Sequence, residues 1–102
     1  MVVKPKVEAT VRRITDTRIY NEVYLDFHNY SKKDIVYIKL NIAQYNNAGK
    51  KLKSPYDWYY LNDTVKAGKT LGNIEFWVHD DTKKVKITIL EVTFKGGSKW
   101  KP

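Results

Sequence analysis

Residues 35–45, Ile-Val-Tyr-Ile-Lys-Leu-Asn-Ile-Ala-Gln-Tyr, constrain the fold more than any other stretch of the chain. Val36, Ile38, Leu40 and Ile42 alternate with Tyr37, Lys39, Asn41 and Gln44. A two-residue period of this kind belongs to an extended strand with one buried face. The run exceeds the usual strand of about five or six residues, so a central place in a sheet is expected. Asn46-Asn47-Ala48-Gly49 follows with residues that tolerate positive φ, which predicts a reversal there and a return beginning at Leu52.

The flanking segments repeat the pattern. Val7–Arg12 reads as an opening strand behind a Lys4-Pro5 lead-in, and Thr15–Arg18 as the turn after it. Glu22–His28 is a second strand with Val23, Leu25 and Phe27 facing in. The polar loop Asn29–Asp34 joins it to the long strand, and the simplest expectation is an antiparallel hairpin. Pro55 interrupts the return from Leu52, as in an edge strand or bulge. Tyr56–Leu61 is expected to be extended, and Asn62-Asp63-Thr64 and Ala67-Gly68-Lys69 break the chain. Ile74–Val78 is a further strand, and His79–Lys84 a turn. In Val85–Phe94 the apolar set shifts phase from Val85/Ile87/Ile89 to Leu90/Val92/Phe94, which predicts a β-bulge. Gly96-Gly97 signals a last hairpin, with Lys99-Trp100 pairing back.

No helical period survives; the nearest candidate, Leu61–Leu71, contains Gly68 and lacks an apolar stripe. Six or seven strands with regular turn signals predict an all-β fold, an immunoglobulin-like antiparallel β-sandwich of about seven strands. The Cys…Trp…Cys spacing of antibody domains is absent. A small barrel of the OB type is the alternative, although that fold usually carries a helix. The 102 residues suit one domain, 1–102, with 1–6 as a linker-like lead-in.

Composition narrows the chemistry. The chain has no Cys, which excludes a disulfide scaffold, a thiolate metal site and a Cys nucleophile. No apolar run approaches the roughly 20 residues of a transmembrane helix, and Met1–Lys6 is not a signal peptide. Net charge is +8, with 19 Lys and Arg against 11 acids. Residues 31–55 hold Lys32, Lys33, Lys39, Lys50, Lys51 and Lys53 against Asp34 alone. Such lysines protect strand edges and keep a domain soluble, or they attract a polyanion. Only Arg12, Arg13 and Arg18 are Arg. Base readout and bidentate phosphate contacts favour Arg, so nucleic acid ranks below other anionic polymers.

Catalytic signals are thin. His79-Asp80-Asp81 could ligate a metal or simply form a turn, and no further ligand stands at metal spacing. Asp57 with Asn62-Asp63-Thr64 lacks the alternating oxygens of a calcium loop. No phosphate loop, nucleophile elbow or zinc motif occurs. No catalytic residue, metal or cofactor is therefore assigned, and no enzyme is expected. Binding character concentrates in Tyr56-Asp57-Trp58-Tyr59-Tyr60. In extended form, Tyr56, Trp58 and Tyr60 share one face while Asp57 and Tyr59 point the other way. Three such rings could stack on sugars or bases, with Lys50, Lys51 and Lys53 supplying charge. The competing reading places Trp58 or Tyr60 in the core, and treats Trp77 as a face residue and Trp100 as a plug at the sandwich end. Tyr56, Trp58, Tyr59, Tyr60, Lys50, Lys51 and Lys53 are the candidate binding residues.

The punctuation of the chain resembles a known kind of module. It lies in Asn29-Tyr30-Ser31, in Ala43-Gln44-Tyr45-Asn46 with Gly49 and Leu52, in Val65–Thr70, and in Val92–Trp100. Together these are similar to FxLYD-type and neighbouring immunoglobulin-like domains of unknown function from Gram-positive bacteria. Tyr45-Asn46 stands where that pattern has Tyr-Asp, and Ala43 where it has a bulkier aliphatic. The resemblance covers residues 20–100 and implies a non-catalytic accessory, adhesion or spacer module. It would belong to a larger exported or membrane-anchored protein, on the cell surface, with the signal or anchor outside this chain. The alternative is a carbohydrate- or polyanion-binding module. The expected partner is an anionic cell-wall polymer or a protein.

Overall fold

The computed structural model describes residues 7–15, 21–54 and 56–101. Among them are eight strands: β1 (Val7–Ile14), β2 (Asn21–Asn29), β3 (Ile35–Tyr45), β4 (Lys51–Leu52), β5 (Tyr59–Leu61), β6 (Thr70–Val78), β7 (Lys84–Phe94) and β8 (Lys99–Trp100). They form two antiparallel sheets. The smaller has the order β1-β2-β6, and the larger the order β4-β3-β7-β8, with β5 also paired to β3. The sheets do not close into a barrel, and the all-β arrangement is consistent with a β-sandwich. β3 takes the central place its length predicts, with β7 on one side and β4 and β5 on the other.

The core lies between the sheets. Val23, Leu25 and Phe27 of β2 are fully buried, as their alternation requires, and meet Ile35, Ile38, Leu40 and Ile42 of β3. Each such side chain removed from water contributes ~1.5–3 kcal/mol. Phe76 and Val78 of β6 and Val92 and Phe94 of β7 complete the layer.

Both ends of β2 carry a buried asparagine on this inward face. At one end Asn29 Nδ2 donates to the carbonyls of Lys33 (2.8 Å) and Val65 (2.9 Å). At the other, Asn21 Nδ2 donates to the carbonyl of Asp80 (2.7 Å). A buried amide must be satisfied, so each asparagine fixes a loop where the apolar layer ends.

The structure changes several expectations. β2 and β3 do not form a hairpin; the Asn29–Ile35 connection crosses from one sheet to the other. Paired strands β2–β6 and β3–β7 are instead distant in sequence, a relation that alternation cannot specify. Ile35 rather than Val36 enters the core, because the ladder to β7 slips between Ile35 and Tyr37. Gln44, assigned above to the polar side, has the parity of Ile42 and is fully buried. Only Tyr59–Leu61 of the Tyr56–Leu61 segment is a strand. The bulge expected near Ile89-Leu90 is present: Lys39 pairs with Glu91 and Leu40 with Ile89, leaving Leu90 over. Both glycine-bearing hairpins, β3–β4 and β7–β8, form as read, and Gly49, Gly96 and Gly97 have positive φ. The expected features at Lys4-Pro5, Asp16–Arg18 and Pro55 lie outside the described residues.

Candidate binding cleft

β5 borders the larger sheet and β6 borders the smaller, and the cleft lies where these borders approach. Tyr59 sits on the inward face of β5, only 6% exposed. Its ring meets Phe76 edge-on at 5.7 Å, and its hydroxyl donates to the Trp77 carbonyl at 2.7 Å. Burial pushes the Tyr59 hydroxyl above its ordinary pKa, although its bonds with Ser54 and Gln44 pull the other way. It stays protonated, and so a donor, at neutral pH.

With Tyr59 turned in, its neighbours turn out. Tyr56, Trp58 and Tyr60 are exposed on the larger-sheet side, and Trp77 is exposed on β6. These four rings, floored by Tyr59 and Phe76, line an open cleft of about 440 Å³. Trp58 and Tyr60 pack tilted at 5.7 Å, and Tyr37 of β3 stacks behind Tyr60 at 6.3 Å. Tyr56 meets Tyr59 edge-on at 5.4 Å. The rings therefore brace one another into a preformed surface.

A buried amide sets this geometry. Gln44 Nε2 donates to Tyr59 Oη and Ser54 Oγ, each at 3.1 Å. Its Oε1 accepts from the His79 backbone N–H (2.7 Å) and from Thr82 Oγ1 (3.2 Å). One side chain thus ties β3, the β4–β5 loop and the β6–β7 turn behind the cleft. Its rank as a hub was invisible in the sequence, where Gln suggests a solvent face; strict parity with Ile42 was the available signal.

Of the candidate binding residues, Tyr56, Trp58 and Tyr60 come together around the cleft, and Tyr59 supports it from within. Lys50, Lys51 and Lys53 are exposed but do not line it. Lys39 takes the place expected of them: its Nζ lies over the Trp58 ring, 4.6 Å from the centroid. It reaches there because Lys39 pairs with Tyr60 across β3–β5. Trp77, read as a face residue, does lie on an outer face, and also forms a cleft wall. The cleft lining among the described residues is entirely aromatic, so it offers ring faces for stacking and apolar contact together with tyrosine hydroxyls and indole N–H groups.

Two other clusters gather titratable side chains. His79, Asp80 and Asp81 have potential ligand atoms within 4.8 Å of one another. His79 Nδ1 accepts from the Asp81 N–H at 3.0 Å, a bond that closes the surface turn, and lies 2.9 Å from Asp80 Oδ1. On the outer face of the smaller sheet, Glu8, Thr10, Asp26, His28, Tyr30 and Thr70 surround a shallow hollow of about 220 Å³. Its groups bond to each other: Tyr30 Oη donates to Glu8 Oε2 (3.0 Å), and His28 Nδ1 lies 2.7 Å from Thr70 Oγ1. The Glu8 carboxylate, by accepting that bond, holds the Tyr30 hydroxyl above its ordinary pKa. No protein-family model, curated protein or solved structure matches this chain.

Proposed function

We propose that this chain is a non-catalytic adhesion module, an immunoglobulin-like sandwich of the FxLYD-type kind, working at a bacterial cell surface. Its contact surface is the Tyr56–Trp58–Tyr60–Trp77 cleft. The observation that carries the reading is the exposure of four large rings around one preformed concavity. Exposed apolar patches of this kind mark binding surfaces, and Trp and Tyr dominate the energy of such contacts. The fold assignment draws support from pairing order. β1-β2-β6 and β3-β7-β8 correspond to the A-B-E and C-F-G strands of immunoglobulin-type domains.

The flat faces of aromatic rings suit the apolar faces of sugar rings, so a cell-wall glycan is the proposed ligand. The test is co-sedimentation of the wild-type domain and Trp58→Ala with purified Gram-positive cell walls, with urea melts to verify folding. Trp58 is 42% exposed but packs against Tyr60 and Lys39, so the substitution should cost ~1–2 kcal/mol of stability and leave the domain folded. Binding at least about tenfold weaker in a folded variant supports the cleft, since a stacking contact is worth ~1–3 kcal/mol. Unchanged wall binding would leave the domain a spacer.

A further inference from the structure

The two sheets carry opposite charge. Strands of the smaller sheet hold Glu8, Glu22, Asp26 and Glu75 against Arg12 and Arg13, a balance of 2 − 4 = −2. Strands of the larger hold Lys39, Lys51, Lys84, Lys86 and Lys99 against Glu91, a balance of 5 − 1 = +4. This division was hidden in the sequence because each sheet gathers strands from both halves of the chain.

Register concentrates the positive charge further. Lys51 and Lys84 flank Tyr45 from opposite sides, and Lys86 pairs with Ala43. All three lysines are exposed, and among the described residues none forms an ion pair. Glu91 faces Lys39 on the same sheet, and its carboxylate lies 3.4 Å from Lys101 Nζ and 3.9 Å from Lys99 Nζ. The acids of the smaller sheet are more engaged: Asp26 is bound by Arg12, Glu8 by Tyr30 and Glu22 by Tyr24.

We infer that the outer face of the larger sheet is a binding surface for a linear anionic polymer carrying phosphodiester groups on a polyol backbone. Lys51, Lys84 and Lys86 receive its phosphates beside Tyr45. Charge complementarity and three lysines without carboxylate partners carry this assignment. The inference rests on the cell-surface reading for its choice of polymer, and not for the charge of the face. Tyr45 and Lys39 are six residues apart on β3, ~20 Å along the strand, so one extended chain can run from the lysine rows to Trp58.

The experiment is titration of poly(glycerol phosphate) into the wild type, Lys51→Gln/Lys84→Gln/Lys86→Gln, and Lys32→Gln/Lys66→Gln/Lys69→Gln across a salt series. The last variant removes the same charge from loops at the Asn29 end. The sheet variant should bind at least tenfold weaker, with a log–log salt slope lower by about 2, at ~0.7 per phosphate contact as for single strands. The loop variant should stay within about threefold of wild type. Equal loss in both variants would reduce the effect to net charge and overturn the inference, as would no loss in the sheet variant. Tighter binding of oligothymidylate than of the polyol phosphate would overturn it too. Salt-sensitive self-association lost in the sheet variant would instead assign the face to the acidic face of a second copy. Trp58→Ala separates the readings. Polyol-phosphate binding kept by the sheet variant, with wall binding lost in Trp58→Ala, leaves the cleft standing and this inference fallen. Polyol-phosphate binding lost in the sheet variant, with wall binding kept by Trp58→Ala, does the reverse.

Discussion

The Tyr59 hydroxyl donates to the Trp77 carbonyl oxygen at 2.7 Å, joining the border strand of one sheet to that of the other. The bond holds the two sides of the cleft together, and the hydroxyl also accepts from Gln44 Nε2 at 3.1 Å. Tyr59→Phe keeps the ring against Phe76 and removes both bonds. It should destabilise the domain by ~1–2 kcal/mol in urea unfolding, since a part-buried carbonyl and the buried Gln44 amide each lose a partner. Wall binding should weaken less than in Trp58→Ala. An unchanged midpoint would show that the bond contributes nothing to sheet docking.

Gln44→Leu should cost more. Leucine conserves most of the volume but leaves the His79 N–H and Thr82 Oγ1 without their acceptor, and Tyr59 and Ser54 without a donor. Unsatisfied buried polar groups cost ~1–3 kcal/mol each, so a loss of ~2–4 kcal/mol is expected after partial relaxation. Denaturant melts measure it. Near-neutral stability would mean that the inward apolar pattern alone, without the amide, holds the β3 end in place.

Asp26 predicts a pH dependence. Its Oδ1 accepts from the Asn73 backbone N–H at 2.8 Å and from Arg12 Nε at 3.0 Å, and both hold its carboxyl below the ordinary 3.8. A lowered folded-state pKa gives stability that is present above the unfolded value and lost as pH falls through the folded one. Asp26→Asn should therefore be less stable than wild type at pH 7, and the two melting curves should converge as pH drops below about 4. A gap that stays constant down to pH 2 would assign the loss to shape rather than charge.

The same carboxylate sits over a bulge in β6, where Leu71 and Ile74 pair with Phe27 and Leu25, and Asn73 takes φ 62°. A Cβ on Gly72 would lie 2.9 Å from Asp26 Oδ1 and 3.5 Å from Arg12 Nη2. Gly72→Ala should cost ~1–3 kcal/mol by overpacking, and Asp26→Ala/Gly72→Ala should be less destabilising than the sum of the singles, because shortening residue 26 removes the atom that the new Cβ meets. Strict additivity in thermal melts would show that the alanine is accommodated elsewhere.

Alternation, turn residues and length by themselves determined that this chain is an all-β domain. Val23, Leu25 and Phe27, the Ile38, Leu40 and Ile42 set of β3, the Gly49 and Gly96-Gly97 reversals and the Leu90 bulge all follow from local periodicity and φ preference, which neighbouring residues encode. Tertiary structure alone decided which strands pair. β2 with β6 and β3 with β7 depend on how apolar faces meet across long loops, and many pairings bury the same residues. It also decided the cleft, because the stretch at Tyr56–Tyr60 becomes a surface only when Tyr59 finds Phe76 and Gln44. The charge division belongs to the same level: Lys51 and Lys84 stand 33 positions apart in the chain, and only the β4-β3-β7 register brings them to either side of Tyr45.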